Sequence, residues 1–290
     1  MVRKHIRGAM SYSAFDLLLT KNVPHVLEAI FLSLDYESFK KCMEVTCVWK
    51  RLLNSATIKQ KAKSVYRGGI LRDEKKLFQE SGLGNEEEVR RLLLIGILDV
   101  NFALTLYLDT PLMSAANRGH IQVVQLLLNG GADPNKTNYA GWTALHSAAM
   151  YGYSEMAQLL MEQGAEPDNN ARYGSTPLHT AVWSGQTGTL KELLKGGADP
   201  NKAKQDGETP LHMAAQNLTL YKSKIQDIIQ LLLEGGADPD RANERGLTPL
   251  DMAASHGNKD IVQTFIGGGA DLTRAQTTCE QTPGQAKESV

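Results

Sequence analysis

Residues 176–199 read TPLHTAVWSGQTGTLKELLKGGAD, and this motif decides the fold because it recurs at a nearly fixed interval along the chain. Each copy opens on a threonine: Thr110, Thr143, Thr176 and Thr209 are 33 residues apart, and Thr248 follows after 39. Each copy closes on a glycine-rich turn, which is GGAD at residues 196–199. Self-similarity at a period of about 20–50 residues indicates stacked copies of one supersecondary unit.

Each copy predicts two short helices joined by a turn. The threonine hydroxyl can cap the first helix, and Pro177 sits at the first helical position, where its missing N–H costs nothing. Gly185 comes at the end of this helix, where a left-handed residue is needed, and Gly119, Gly152 and Gly257 hold the same place in other copies. Apolar runs such as residues 123–128 supply the buried face of the second helix.

A 33-residue period carrying TPLH and GGADP resembles the ankyrin repeat. The resemblance covers residues 109–273 in five units, with a six-residue insertion at 218–223. A degenerate unit at 74–108 precedes them and lacks TPLH, as terminal capping repeats do. The resemblance implies an all-α solenoid of helix pairs with short β-hairpin fingers, which binds proteins through its fingertips and the concave face of its first helices.

The recurring histidines of TPLH suggest two interpretations. His146, His179 and His212 lie 33 residues apart, which would suit a row of metal ligands. Their fixed place one turn into a helix favours repeated hydrogen bonds at the helix start instead. We therefore expect no metal site and no cofactor.

Residues 22–58 have a different pattern, in which apolar residues at helical spacing predict three short helices. The stretch VPHVLEAIFLSLD at 23–35, followed by Trp49, resembles an F-box. The resemblance implies docking on the Skp-type adaptor of a cullin ubiquitin ligase. The residues expected to bind the adaptor are Val23, Pro24, Leu27, Ile30, Phe31, Leu34 and Trp49. The alternative is a set of helices that caps the solenoid or serves as another docking site.

The charge is divided unevenly between the two parts of the chain. Residues 1–76 hold 15 Lys and Arg against 7 Asp and Glu, whereas residues 77–290 hold 16 against 25. We assign residues 1–21 to a basic tail, residues 59–73 to a basic linker helix, and the polar residues 274–290 to a disordered tail. Lys59, Lys63 and Arg67 form a stripe at four-residue spacing, which favours a solvated face or an acidic partner over nucleic acid.

Aromatic residues point to the partner-binding surface. Six of the twelve Tyr and Trp residues fall within residues 139–183. Tyrosine, tryptophan and arginine dominate interface hot spots because they bury a large area for little lost side-chain entropy. The candidate partner-binding residues are Tyr139, Met150, Tyr151, Arg172, Tyr173 and Trp183.

The sequence excludes several function classes. No acid–base or nucleophile cluster stands outside the repeat positions, so we expect neither an enzyme nor a small-molecule substrate. No apolar run approaches the roughly 18 residues of a membrane span, and the N-terminus lacks the apolar core of a signal peptide.

We expect a cytoplasmic or nuclear substrate-recognition subunit of a Skp–cullin–F-box ligase that holds an unknown target protein. The alternative is an ankyrin scaffold without ligase association.

Overall fold

The computed structural model describes residues 34–45, 56–216, 222–271 and 273. It divides into two compact units. The first holds the described residues up to Thr105 together with Thr110–Ala132, and the second holds Leu106–Asp109 together with the described residues from Asp133 onward. Every regular element in the described residues is a helix, which confirms the predicted all-α class.

The helices follow the repeat. Those described in the first unit are α1 (Tyr36–Val45), α2 (Ala56–Val65), α3 (Arg67–Leu83), α4 (Glu86–Leu93), α5 (Pro111–Ala116) and α6 (Ile121–Asn129). Those described in the second are α7 (Ala144–Tyr151), α8 (Ser154–Glu162), α9 (Pro177–Trp183), α10 (Thr187–Lys195), α11 (Pro210–Gln216), α12 (Lys222–Glu234), α13 (Pro249–Ser255) and α14 (Lys259–Gly267), with a short 3₁₀ turn at Arg172–Gly174.

The helices of the second unit form two layers. In one layer α7, α9, α11 and α13 each contact the next, and in the other α8, α10, α12 and α14 do the same. Small side chains allow the first layer to pack closely, since Ala148, Ala181 and Ala215 are completely buried. Gly152 and Gly185 end α7 and α9 at positive φ, as predicted. The 33-residue period is therefore the length of one helix pair.

Buried histidines connect one helix pair to the next. Nδ1 of His179 accepts the N–H of Thr176 at 3.2 Å, and its Nε2–H donates to the carbonyl oxygen of Glu208 at 3.2 Å in the following copy. His146 and His212 make the same pair of contacts. The prediction of helix-start hydrogen bonds is confirmed, and each histidine also holds the neighbouring copy in place.

The fingers between helix pairs are turns. The hydrogen bond from Ala171 N–H to the Ser175 carbonyl closes one finger at 2.8 Å, and consecutive fingers are joined at their tips by bonds such as Gln205 N–H to the Tyr173 carbonyl at 2.8 Å. No residue in the described ranges belongs to a β-strand, so the predicted β-hairpins are wrong in that respect. Gly174 makes this reversal at a φ of +79°.

The first unit contains helix pairs of the same design. In it α3 contacts α4 and α5, and α4 contacts α6. Leu77 of α3 and Val89 and Leu92 of α4 are fully buried. Gly84 ends α3 at a φ of +75°, as a copy of the repeat requires. The absence of TPLH from this segment thus leaves its helix pair intact.

An aromatic cluster attaches α1 to the segment between α2 and α3. Phe39 is fully buried, with its ring 4.6 Å from that of Tyr66 and 6.0 Å from that of Tyr36. The Tyr66 hydroxyl donates to the carbonyl oxygen of Leu34 at 3.0 Å. These contacts place the described part of the F-box-like segment in one folded body with α3.

Helix α3 crosses the boundary that the sequence suggested. Residues 59–73 were expected to form a linker helix, with the capping unit beginning at 74, but one helix spans Arg67–Leu83. Asp73 and Glu74, on either side of the expected boundary, are both buried within this one helix. Residues 1–33, 46–55 and 274–290, together with 218–221 of the insertion, lie outside the described residues.

Candidate protein-binding groove

A groove of about 730 Å³ opens in the second unit between the fingers and the first helices. Its wall comes from consecutive fingers, and its floor comes from side chains of α7, α9 and α11. The side chains that line it include Met150, Arg172, Tyr173, Trp183, Lys204, Met213 and Glu244. The repeat produces this groove because residues at equivalent places in successive copies face the same side.

Four of the six residues predicted to bind a partner line this groove: Met150, Arg172, Tyr173 and Trp183. The other two lie beside it. Tyr139 is exposed on the preceding fingertip, under the guanidinium of Arg172, whose central carbon is 4.5 Å from the ring centroid. Tyr151 is exposed at the end of α7 and stacks on Tyr153 at 5.9 Å.

The floor of the groove is apolar. Met150 lies in the last turn of α7 and Trp183 ends α9 at the equivalent place one repeat later, while Met213, one turn earlier on α11, also lines the groove. The Ser184 hydroxyl lies 2.9 Å from the sulfur of Met150 and orients that side chain. Trp183 leaves 54% of its surface exposed, so a large aromatic face is available to a partner.

Tyr173 stands at the rim in an unusual backbone conformation. Its φ of +61° lies in the left-handed region, which costs a residue with a β-carbon about 1–2 kcal/mol. The next residue, Gly174, is also left-handed, and together they turn the tyrosine outward with 72% of its surface exposed. Backbone strain that holds an aromatic side chain in solvent indicates a functional role for that residue.

The polar wall of the groove contains a network of charges. The ammonium of Lys204 lies 2.9 Å from the Glu208 carboxylate and 3.2 Å from that of Asp206. Gln216 and Arg245 also donate to Glu208, at 2.6 and 3.3 Å. Burial alone would lower the pKa of Lys204, but the hydrogen bonds and negative charge of Glu208 and Asp206 outweigh it and raise the pKa. Lys204 therefore keeps its positive charge at neutral pH.

A second exposed apolar feature was missed from the sequence. Leu106, Tyr107 and Leu108 form the fingertip that precedes Thr110, and Leu106 is 96% exposed. The Tyr107 carbonyl accepts the N–H of Tyr139 at 2.7 Å, so this tip adjoins the next one. Leu108 has a φ of +61° in the place that glycine holds two residues before Thr143, Thr176 and Thr209. A leucine at that place is the sequence signal that would have identified the tip.

Of the residues predicted to bind an adaptor, the structure describes Leu34 alone. It is half-buried, and its carbonyl oxygen is held by Tyr66. Val23, Pro24, Leu27, Ile30, Phe31 and Trp49 lie outside the described residues. The basic stripe begins with Lys59, which is half-buried on α2, and continues with Lys63 and Arg67, which are exposed.

The described residues contain no group of three or more His, Cys, Asp or Glu side chains that could hold a metal ion. Among the described helices, none has the length and apolar character needed to cross a bilayer.

Comparison with known proteins agrees with this architecture. The chain is 48% identical over 54 residues to the E3 ubiquitin-protein ligase XBAT33 of Arabidopsis thaliana, which is 17% of this chain and 10% of that protein. It is 42% identical over 62 residues to the probable E3 ubiquitin-protein ligase XBOS33 of Oryza sativa subsp. japonica, which is 21% of this chain and 12% of that protein. The chain thus spans about a tenth of the length of these curated relatives.

The family described as "Ankyrin repeats (3 copies)" matches residues 77–171, 131–204 and 178–276. These matches together span well over half of the chain, and they coincide with the helix pairs from α3 onward. Ankyrin repeats serve in protein–protein interaction. The chain belongs to the ankyrin-repeat family.

Proposed function

We propose that this protein is a non-catalytic substrate receptor that holds a target protein in the groove of its second unit and delivers it to a ubiquitin ligase. The observation that carries the proposal is the groove, where Met150, Tyr173 and Trp183 present an apolar surface beside a charged wall. The contribution to ubiquitin transfer is proximity, because binding raises the effective concentration of target lysines beside the loaded enzyme.

The groove has the composition of an interaction hot spot. Exposed aromatic side chains are expensive to leave in water, and Trp183 and Tyr173 are both more than half exposed. A neighbouring rim of charged groups is typical of interfaces that exclude water around an apolar centre. We therefore expect truncation of these two side chains to cost most of the binding free energy.

The ligase half of the proposal rests on residues 22–58, whose pattern resembles an F-box, and on the names of two partial relatives. Those relatives are called ubiquitin-protein ligases, and the matched region is short in both. In this proposal, Val23, Pro24, Leu27, Ile30, Phe31, Leu34 and Trp49 dock on a Skp-type adaptor bound to a cullin. The groove then faces the target.

The alternative is an ankyrin scaffold in which the N-terminal helices serve only as a cap. One observation favours it: the side chains of Phe39 and Lys40 on α1 are buried within the first unit, so that face of α1 is already occupied. The two functions differ in one measurable property, which is binding of the adaptor by the intact chain.

Target capture is tested by affinity purification from cells with the full chain as bait, followed by mass spectrometry. We expect the Tyr173→Ala, Trp183→Ala variant to lose a defined set of partners while melting at the wild-type temperature. Lys191→Ala is the matched control, because Lys191 is exposed on α10 away from the groove. Retention of the same partners by the double variant would refute the groove as the binding site.

Adaptor docking is tested separately with a purified Skp-type adaptor and the full chain. We expect a complex by size-exclusion chromatography that is lost in the Pro24→Ala, Leu27→Ala variant. Leu71→Ala is the control, since Leu71 is an exposed apolar residue on α3. If the wild-type chain forms no complex, the ligase assignment fails and the scaffold function remains.

A further inference from the structure

We infer that the groove selects an extended peptide segment with a fixed charge polarity: an acidic residue at one end, a bulky apolar residue in the middle and a basic residue at the other end. This inference rests on the proposed function of the groove and adds the chemistry of its partner. It follows from two charged side chains of the wall, Arg172 and Glu244, which the network around Lys204 does not neutralise.

Arg172 supplies the positive end. Its backbone N–H donates to the Ala140 carbonyl at 2.9 Å, which fixes the fingertip, and its guanidinium lies over the ring of Tyr139. Among the described residues, no carboxylate lies within ion-pair distance of it. Stacking on an aromatic ring leaves the edge of a guanidinium free to donate, and that edge matches a carboxylate with two parallel hydrogen bonds.

Glu244 supplies the negative end. Its backbone N–H donates to the Asp206 carbonyl at 3.1 Å, so its fingertip is held against the preceding one, and its exposed side chain lines the groove. In the described structure no lysine or arginine pairs with its carboxylate. Asp206 already accepts from Lys204 and from the Glu208 N–H, which leaves Glu244 as the carboxylate for a partner's cation.

The charges between these ends cancel within the protein. Lys204 contacts both Asp206 and Glu208, and Arg245 also contacts Glu208. The centre of the groove is therefore left with the apolar surface of Met150, Trp183 and Met213. A uniformly acidic segment would meet Glu244 with like charge, and a uniformly basic one would meet Arg172. An acidic–apolar–basic segment satisfies both ends.

The stack sets the spacing of the two partner charges. Arg172 precedes α9 and Glu244 precedes α13, which are two steps apart in the layer α9–α11–α13. Packed helices lie about 8–10 Å apart, so two steps span about 16–20 Å. An extended chain rises about 3.3 Å per residue, so five or six residues separate the acidic and basic side chains of the partner.

The test is selection of a phage-displayed random 12-mer peptide library on the full chain. We expect enriched peptides to carry Asp or Glu and Lys or Arg five or six positions apart, with Leu, Met, Phe or Trp between them. For one such synthetic peptide, fluorescence anisotropy should show about tenfold weaker binding to Arg172→Glu and to Glu244→Lys, the loss of one charge-assisted contact each. Lys191→Glu is the matched control and should bind as the wild type does.

The double variant Arg172→Glu, Glu244→Lys separates polarity from general charge effects. It should bind the peptide with its acidic and basic residues exchanged better than it binds the original. If both single variants bind normally while Trp183→Ala does not, the polarity is wrong and the groove function stands. If Trp183→Ala leaves binding of every enriched peptide unchanged, the groove function itself fails. Enrichment of no peptide also counts against the inference.

Discussion

The ammonium nitrogen of Lys40 lies 2.7 Å from a carboxylate oxygen of Asp73, and both side chains are almost completely buried. The hydroxyl of Tyr36 donates to the same oxygen at 3.0 Å. Lys40 and Tyr36 belong to α1 and Asp73 to α3, so the ion pair joins the described part of the F-box-like segment to the first repeat-like helix pair. Burial and the negative charge of Asp73 raise the pKa of Tyr36, which therefore stays a donor.

Replacing Lys40 with methionine should lower the free energy of unfolding by about 3 kcal/mol, because it leaves the buried Asp73 carboxylate with only the exposed and more distant Arg72 as a cation. The double variant Lys40→Met, Asp73→Leu should recover most of this loss. Urea denaturation of the full chain measures both. The control is Lys195→Met, which removes a surface pair with Glu192 and should cost under about 1 kcal/mol. A loss in Lys40→Met no larger than in the control would contradict the importance of the pair.

The buried histidines predict how stability depends on pH. Burial lowers the pKa of His146 and of His179 to about 4, and both already use Nδ1 as an acceptor. In the unfolded chain these rings take up protons below about pH 6.5, whereas in the folded chain they do so only below about pH 4. The free energy of unfolding is therefore highest above about pH 6.5 and falls as the pH drops from about 6.5 to about 4. At pH 5 the free energy of unfolding is lower than at pH 7 by about 2 kcal/mol for each histidine.

Urea denaturation at pH 7 and pH 5 measures this loss, and His146→Gln, His179→Gln is the comparison. The double variant is expected to be less stable at pH 7 but to lose much less between the two pH values. If the wild type and the double variant had equal pH dependence, the histidines would not be the titrating groups.

Asparagines and carboxylates share one repeated position under the fingers, where Asn135 and Asn201 alternate with Asp168 and Asp240. Asn135 donates to the Gly164 carbonyl at 2.8 Å and accepts the Glu166 N–H at 2.8 Å, and Asn201 makes the equivalent two contacts in a later copy. Asp168 holds this place between them and accepts the Asp199 N–H at 3.0 Å, but an ionised carboxylate cannot donate. Desolvation, followed by repulsion from Asp199, raises the pKa of Asp168.

The variant Asp168→Asn should therefore raise the free energy of unfolding by about 1 kcal/mol at pH 7, since it adds a donor opposite a carbonyl oxygen and removes a partly buried charge. Its mirror-image control is Asn135→Asp, which should lower the free energy of unfolding by a similar amount. Differential scanning calorimetry of both variants is the measurement. A destabilised Asp168→Asn would show that the carboxylate has a role that the amide cannot take.

The sequence predicted what is repeated and local. The capping threonines, the histidines that accept from them and the glycines that end the helices each depend on neighbours within a few residues, so one copy of the motif suffices to assign them. Met150 and Trp183 could be placed on one surface because they are 33 residues apart, and Tyr173 because it stands at a fingertip. That Met213 and Glu244 line the same groove could not be predicted, because it depends on how separate copies pack. The end of the linker helix was misplaced because burial of Asp73 and Glu74 depends on contacts with α1 and with the loop after α4.

Leu108 was missed because it stands where the repeat has glycine. At Gly141, the equivalent place in the next copy, an added β-carbon would lie 2.9 Å from the Ala171 α-carbon. Leu108 takes the same left-handed conformation at a cost of about 1–2 kcal/mol. Leu108→Gly should thus raise the free energy of unfolding by about 1 kcal/mol, whereas Gly141→Ala should lower it by at least as much. Thermal denaturation of the two variants in parallel measures both changes in stability. A loss of stability in Leu108→Gly would mean that the buried half of the leucine side chain contributes more than its backbone costs.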